Sequence, residues 1–271
     1  MKGTDRRYPE VHGSDPDQPA LRIYTLGGFS VWRAREPVEH TAWGREKAVH
    51  LFQFFVTNRG QLLHKEQIID QLWPESPLDA GDRDFKVALN AINRAIEPER
   101  APRAKPRFIE RVDLTYGLNT DQTWVDVEAF ESHLVRGNRL FKENETAAIG
   151  HYQAALALYQ GEYLPERRYE DWTSAERERL GIMALSAMTT MAGFEVEHDP
   201  REALRLTQQV LSIEPLWEEA YRTQMRAFQV LGNRPMALRT YQKCITVLRE
   251  ALSIDPLPET QLLCQEIRQA R

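Results

Sequence analysis

From Asp82 to Pro98 the chain reads DRDFKVALNAINRAIEP, with its apolar positions on a helical period. Phe85, Leu89, Ile92 and Ile96 recur at i, i+4, i+7 and i+11, which stacks them along one side of a helix as a core face. Lys86, Asn90, Asn93 and Arg94 fall on the opposite side, spread over about a third of the circumference at roughly 3.6 residues per turn. A helix held by an apolar back and offering amides and cations from its front suits a reader of the DNA major groove. An ordinary surface helix carries the same two faces, so the flanking pattern has to decide.

Leu21 to Arg33, LRIYTLGGFSVWR, alternates apolar and polar residues around Gly27-Gly28, which predicts a hairpin. Val38 and Glu39, after Pro37, offer a third short strand. From Arg45 the pattern becomes helical, with Ala48, Leu51, Phe52 and Phe55 inward and Asn58-Arg59-Gly60 as its stop. A second helix runs from Lys65 to Trp73, with Ile68, Ile69 and Leu72 apolar, and ends at Pro74. Pro74 to Gly81, PESPLDAG, reads as a loop into the two-faced helix, which Pro98 stops. After a Pro- and Arg-rich stretch from Glu99 to Pro106, Arg107–Val112 and Thr115–Asn119 alternate around Asp113-Leu114 as a closing hairpin. Strands, three helices and a hairpin in that order make a winged helix-turn-helix.

Beyond Trp124 the texture is helical. Val125 to Glu143 and Thr146 to Tyr159 form a helical pair, and a long helix spans about Asp171 to His198. Past Pro200 the chain repeats itself. Ala203-Leu204-Arg205 returns as Ala237-Leu238-Arg239 at an offset of 34 residues, and Ile213-Glu214-Pro215-Leu216 returns as Ile254-Asp255-Pro256-Leu257 at an offset of 41, so seven extra residues lengthen the second unit. A 34-residue period with Leu231-Gly232, Ala237 and Tyr241 in order is the signature of a tetratricopeptide repeat, in which helix pairs stack because none buries its apolar face alone.

Composition narrows the function. The 271 residues suit two domains. No apolar run approaches a membrane span, and residues 1–19 have no apolar segment for export, so a cytoplasmic protein with a disordered leader and no membrane partner is expected. Net charge is −5 overall, but from Ala20 to Thr120 there are 15 Lys and Arg against 13 Asp and Glu, a net of +2, while Asp121 to Arg271 holds 17 against 23, a net of −6. Any nucleic acid therefore belongs to the first half. Phosphate-loop, HExxH, GxSxG and clustered Cys/His motifs are absent, so neither an enzyme nor a cofactor or metal is expected. The seven histidines are scattered and read as surface or cap residues; Cys244 and Cys264 read as buried thiols; Trp43, Trp73, Trp124, Trp172 and Trp217 read as packing at element ends.

LLHKEQIIDQLWP before the loop and FKVALNAINRAIEP after it resemble the OmpR-type winged helix of SARP/AfsR-type regulators, and the helical remainder resembles their bacterial transcriptional activator domain. The resemblance implies an α+β winged helix at 20–120 and an all-α, tetratricopeptide-like domain at 121–271, in a transcriptional regulator that binds double-stranded DNA. It also implies activation contacts with RNA polymerase from the Pro74–Gly81 loop. The recognition stripe departs from the family pattern: Ala88, Asn90, Ala91 and Asn93 stand where basic side chains are usual, and Asp113 sits in the wing. The expected DNA contacts are Lys86, Asn90, Asn93 and Arg94 on the helix, Arg107 and Arg111 at the wing, and Lys47 and Lys65 elsewhere. The helical domain is expected to form a homodimer or to receive a small effector or protein partner. A second reading keeps the fold but makes the protein a sensor or adaptor. In it Arg100, Arg103 and Lys105, with Arg107, clamp an anionic ligand such as a cyclic dinucleotide.

Overall fold

The structure, a computed structural model, describes residues 19–269; apart from Pro19, the expected leader at 1–19 lies outside them. They divide into two units, one of residues 19–24 with 30–125, the other of residues 25–29 with 126–269.

The first unit opens with strands β1 (Leu21–Tyr24) and β2 (Ser30–Arg33), antiparallel and in register from Leu21 opposite Arg33 to Tyr24 opposite Ser30. Leu21, Ile23 and Val31 point inward, as alternation requires. The third strand, β3, is Glu36–Pro37 and not Val38-Glu39. A two-residue turn with Ala34 at φ +48° brings Glu36 opposite Arg33, and Val38 is buried beyond it, donating its N–H to the Val31 carbonyl at 2.8 Å.

Three helices follow: α1 (Glu46–Thr57), α2 (Lys65–Leu72) and α3 (Leu78–Ile96). Ala48, Leu51, Phe52 and Phe55 of α1 are buried, and Gly60 at φ +75° turns the chain away from it. His64 caps α2, its Nδ1 accepting from the Glu66 N–H while Gln67 Oε1 accepts from the His64 N–H. The expected Pro74–Gly81 loop is half helix, because α3 already begins at Leu78. Pro77 at its N-cap and Asp79 in its first turn both favour a helix start there. Gly81 therefore lies inside α3, where it lets α2 approach closely: a Cβ on it would stand 2.6 Å from Ile69 Cγ2.

The wing is a second sheet in the order β4 (Leu63–His64), β6 (Thr115–Leu118), β5 (Ile109–Val112). One strand was not foreseen. β7 (Thr123–Val125) pairs in parallel with β1, giving the first sheet the order β3-β2-β1-β7. Three residues are too few to show alternation, so Trp124 and Val125 read as the start of the helical region.

The second unit holds α4 (Asp126–Leu140), α5 (Glu145–Leu158), α6 (Asp171–His198), α7 (Pro200–Ile213), α8 (Glu218–Val230), α9 (Arg234–Leu252) and α10 (Pro258–Gln269). The 34-residue repeat is physical. Ala203 and Ala237 are fully buried in α7 and α9, and the residues 34 apart before these helices, Asp199 and Asn233, cap them through their side chains. α9 has 19 residues against 14 in α7, which absorbs five of the seven extra residues.

The segment Thr25–Phe29 is not a tight hairpin turn but part of this unit. Asp126 receives the Thr25 N–H at 2.6 Å, the Thr25 hydroxyl at 2.7 Å and the Leu26 N–H at 2.8 Å, besides the Val127 N–H at 2.9 Å. Burial pushes the Asp126 carboxyl above the usual carboxylate range, and those donated hydrogen bonds pull it back. Gly27, at φ +96°, crosses so near Gln160 that a Cβ would lie 2.7 Å from its carbonyl carbon. Cys244 and Cys264 are free and buried, and burial pushes the Cys244 thiol up to about 12. The histidines are less uniform than expected: His50 is buried, and His133 Nδ1 lies 3.2 Å from His151 Nδ1.

Candidate nucleic-acid interface

α3 is anchored as its apolar spacing requires. Phe85, Ile92 and Ile96 are buried, Leu89 is half-buried, and Ala88 and Ala95 are buried beside them. Phe85 meets Tyr116 of the wing edge-on, with ring centroids 5.0 Å apart. At the helix start the Asp82 carboxylate bridges two elements, taking an ion pair from Lys65 of α2 and one from Lys86, one turn on, at 2.6 Å. The hydrogen bond from Lys65 holds the Asp82 carboxyl below its ordinary value, with Lys86 adding to it, and the same bond raises the Lys65 ammonium.

The outward side of α3 is a stripe of Arg83, Lys86, Asn90 and Arg94, all exposed. Among the described residues Arg83, Asn90 and Arg94 have no hydrogen bond or ion pair from their side chains. The expected stripe needs two corrections. Asn93 is buried, 4% exposed, with its Oδ1 lacking a hydrogen-bond partner, and Ala88 is equally buried, so neither can face a groove. Arg83, three residues before Lys86 on the same face, joins the stripe, because α3 starts at Leu78 and already holds Arg83 in its second turn. With Arg83 in and Asn93 out, the stripe is more basic than the sequence suggested.

The remaining expected contacts sort by what already holds them. Lys65 is spent on Asp82. Lys47, at the start of α1, donates to the Leu72 carbonyl at 2.7 Å and sits 5.5 Å from the centre of the Trp73 ring, closing the end of α2. Both brace the helix-turn-helix instead of projecting from it. At the wing, Arg111 donates to the Asp113 carbonyl at 2.9 Å and lies over Tyr116, while Asp113 forms the tip at φ +52° between exposed Val112 and Leu114. Arg107 is exposed, bonded to Gln122 Oε1 at 2.8 Å.

The arginines of the Pro-rich segment do not cluster as a unit. Arg103 and Lys105 are exposed and stand apart, whereas Arg100 lines a groove with Arg107 and two residues of the β2–β3 hairpin, Arg33 and Arg35. Sequence spacing gave no signal for that company.

Residues 125–268 match a family described as bacterial transcriptional activator domain. The regulatory protein AfsR of Streptomyces coelicolor is 22% identical over 267 residues, which cover 98% of this chain and 26% of AfsR, so the chain spans about a quarter of that relative's length. Among solved structures, Mycobacterium tuberculosis EmbR in complex with a low affinity phosphopeptide superposes with a TM-score of 0.81 at 20% identity, over 94% of this chain and 66% of that one. That second likeness is one of fold.

Proposed function

Because the chain belongs to the bacterial transcriptional activator domain family of SARP-type transcriptional regulators, we propose that it binds double-stranded DNA through its winged helix and uses its helical unit for dimerisation or signal input. The observation that supports this reading is the exposed stripe of Arg83, Lys86, Asn90 and Arg94 on a helix whose other side is buried.

In this reading Asn90 reads a base edge, since its amide offers the donor and acceptor that adenine pairs with. Arg83, Lys86 and Arg94 contact phosphates on either side, and Arg107 and Arg111 add contacts from the wing. Three to five phosphate contacts give a salt slope of roughly −3 to −4.5, modest for a regulator. Two half-sites bound by a homodimer multiply that modest affinity. The turn Pro74–Pro77, what remains of the expected loop, is the surface we assign to RNA polymerase.

The test is fluorescence anisotropy, across a salt series, on fragments selected from a genomic pool. The wild type should bind with the slope given, and Lys86→Ala with Arg94→Ala should lower that slope by about two and weaken binding to all sequences alike. Asn90→Ala should cost about 1–3 kcal/mol on the selected site alone. A chain that retains no fragment at low salt overturns the reading.

A further inference from the structure

The groove beside the first sheet is independent of the α3 stripe and does not need DNA binding to be correct. It encloses about 790 Å³, within the roughly 300–1,000 Å³ usual for small-ligand sites, and is lined among others by Arg33, Arg35, Arg100, Arg107, Glu97 and Phe108. Two arginines come from the β2–β3 hairpin and two from the segment between α3 and β5, so the fold alone brings them together. Arg33 Nε and Arg100 Nη1 are both buried with no hydrogen-bond partner, although a guanidinium N–H shielded from water ordinarily finds an acceptor. Arg22 secures the hairpin side by donating to the Ala34 carbonyl at 2.7 Å. On the other side Glu97 is already occupied, its Oε1 accepting the N–H groups of Arg107 at 2.9 Å and Phe108 at 3.3 Å. Glu36 and Glu99 also line the groove and hold its positive excess small. A compact, highly charged oxyanion supplies the acceptors that Arg33 Nε and Arg100 Nη1 lack, where a single weak anion does not.

We propose that this groove binds a small phosphorylated ligand through a pyrophosphate-like group, held by Arg33 and Arg100 and flanked by Arg35 and Arg107. The planar guanidinium forks match paired phosphate oxygens, and the groove leaves room for the rest of a nucleotide-sized molecule beside Phe108. The ligand therefore reaches the winged-helix unit itself, at the end of α3.

Titration calorimetry of the full chain with pyrophosphate, ATP and orthophosphate, at matched ionic strength, tests this. Pyrophosphate or ATP should bind once per chain, at least about tenfold more tightly than orthophosphate. Arg33→Ala with Arg100→Ala should weaken binding tenfold or more, and Lys86→Ala with Arg94→Ala should leave it unchanged. Should the first variant not fold by circular dichroism, Arg35→Glu on the exposed turn reverses one groove charge and should give the same loss. Absence of saturable heat with pyrophosphate and ATP overturns the proposal, as does binding that a folded groove variant retains in full. A groove variant that loses affinity for duplex DNA while free pyrophosphate gives no heat also overturns it, and assigns the groove to the DNA backbone.

Discussion

The two units hold their helices in register by different means. In the helical unit, registration is repetitive: the capping side chains Asp199 and Asn233 stand 34 residues apart, as do the fully buried Ala203 and Ala237. In the winged-helix unit it depends on single contacts that occur once, namely Asp82 between Lys65 and Lys86, Phe85 against Tyr116, and Gly81 against Ile69. A repeat distributes its stability over equivalent interfaces, whereas a helix that must present one face is placed by contacts with no substitute.

The sharpest exception inside the helical unit is Asp126, which is unique and buried, and it should show the largest effect. Asp126→Ala leaves the Thr25 and Leu26 N–H groups without an acceptor and should cost about 3 kcal/mol, read as a lower midpoint in chemical denaturation. A cost below 1 kcal/mol would place the weight of that unit wholly on its repeats. Next comes Gly81→Ala, whose added methyl meets Ile69 and should cost about 1–2 kcal/mol, with weaker DNA binding as α3 shifts. Unchanged binding would mean that α3 keeps its place without that contact.

The smallest effect is electrostatic. Asp82→Asn should raise DNA affinity a few-fold at low salt, an advantage that fades as salt screens the newly unpaired cations. The same substitution carries a pH signature. The Asp82 carboxyl is held below its ordinary value of 3.8, so its contribution to stability is present above pH 3.8 and lost as pH falls through the lower, folded value. The acid limb of the stability curve should therefore be flatter in Asp82→Asn than in the wild type.

These differences also decide what the sequence could reveal. The 34-residue echo, the ends of α6 and the Asp113-Leu114 turn were readable because repeats, prolines and alternating runs leave local marks. The face of α3 was readable only in part. Large apolar residues located its back, but Ala88 and Ala95, too small to mark a face, broaden the buried side until it takes in Asn93. The start of α3 lay hidden in a segment with two prolines. The arginine groove left no mark at all, since Arg33 and Arg100 meet only through the hairpin turn and the path of the chain after α3.

The interleaving at Thr25–Phe29 bears on how the molecule can be dissected. Because those five residues belong with Asp126 while the stretch between belongs elsewhere, no single scission yields both halves whole. Truncation after residue 120 strips β7 from its sheet, and a fragment opening at residue 126 keeps a carboxylate whose donors at Thr25 and Leu26 are gone. Isolating the helical half intact calls for a permuted or split gene that supplies the pentapeptide separately.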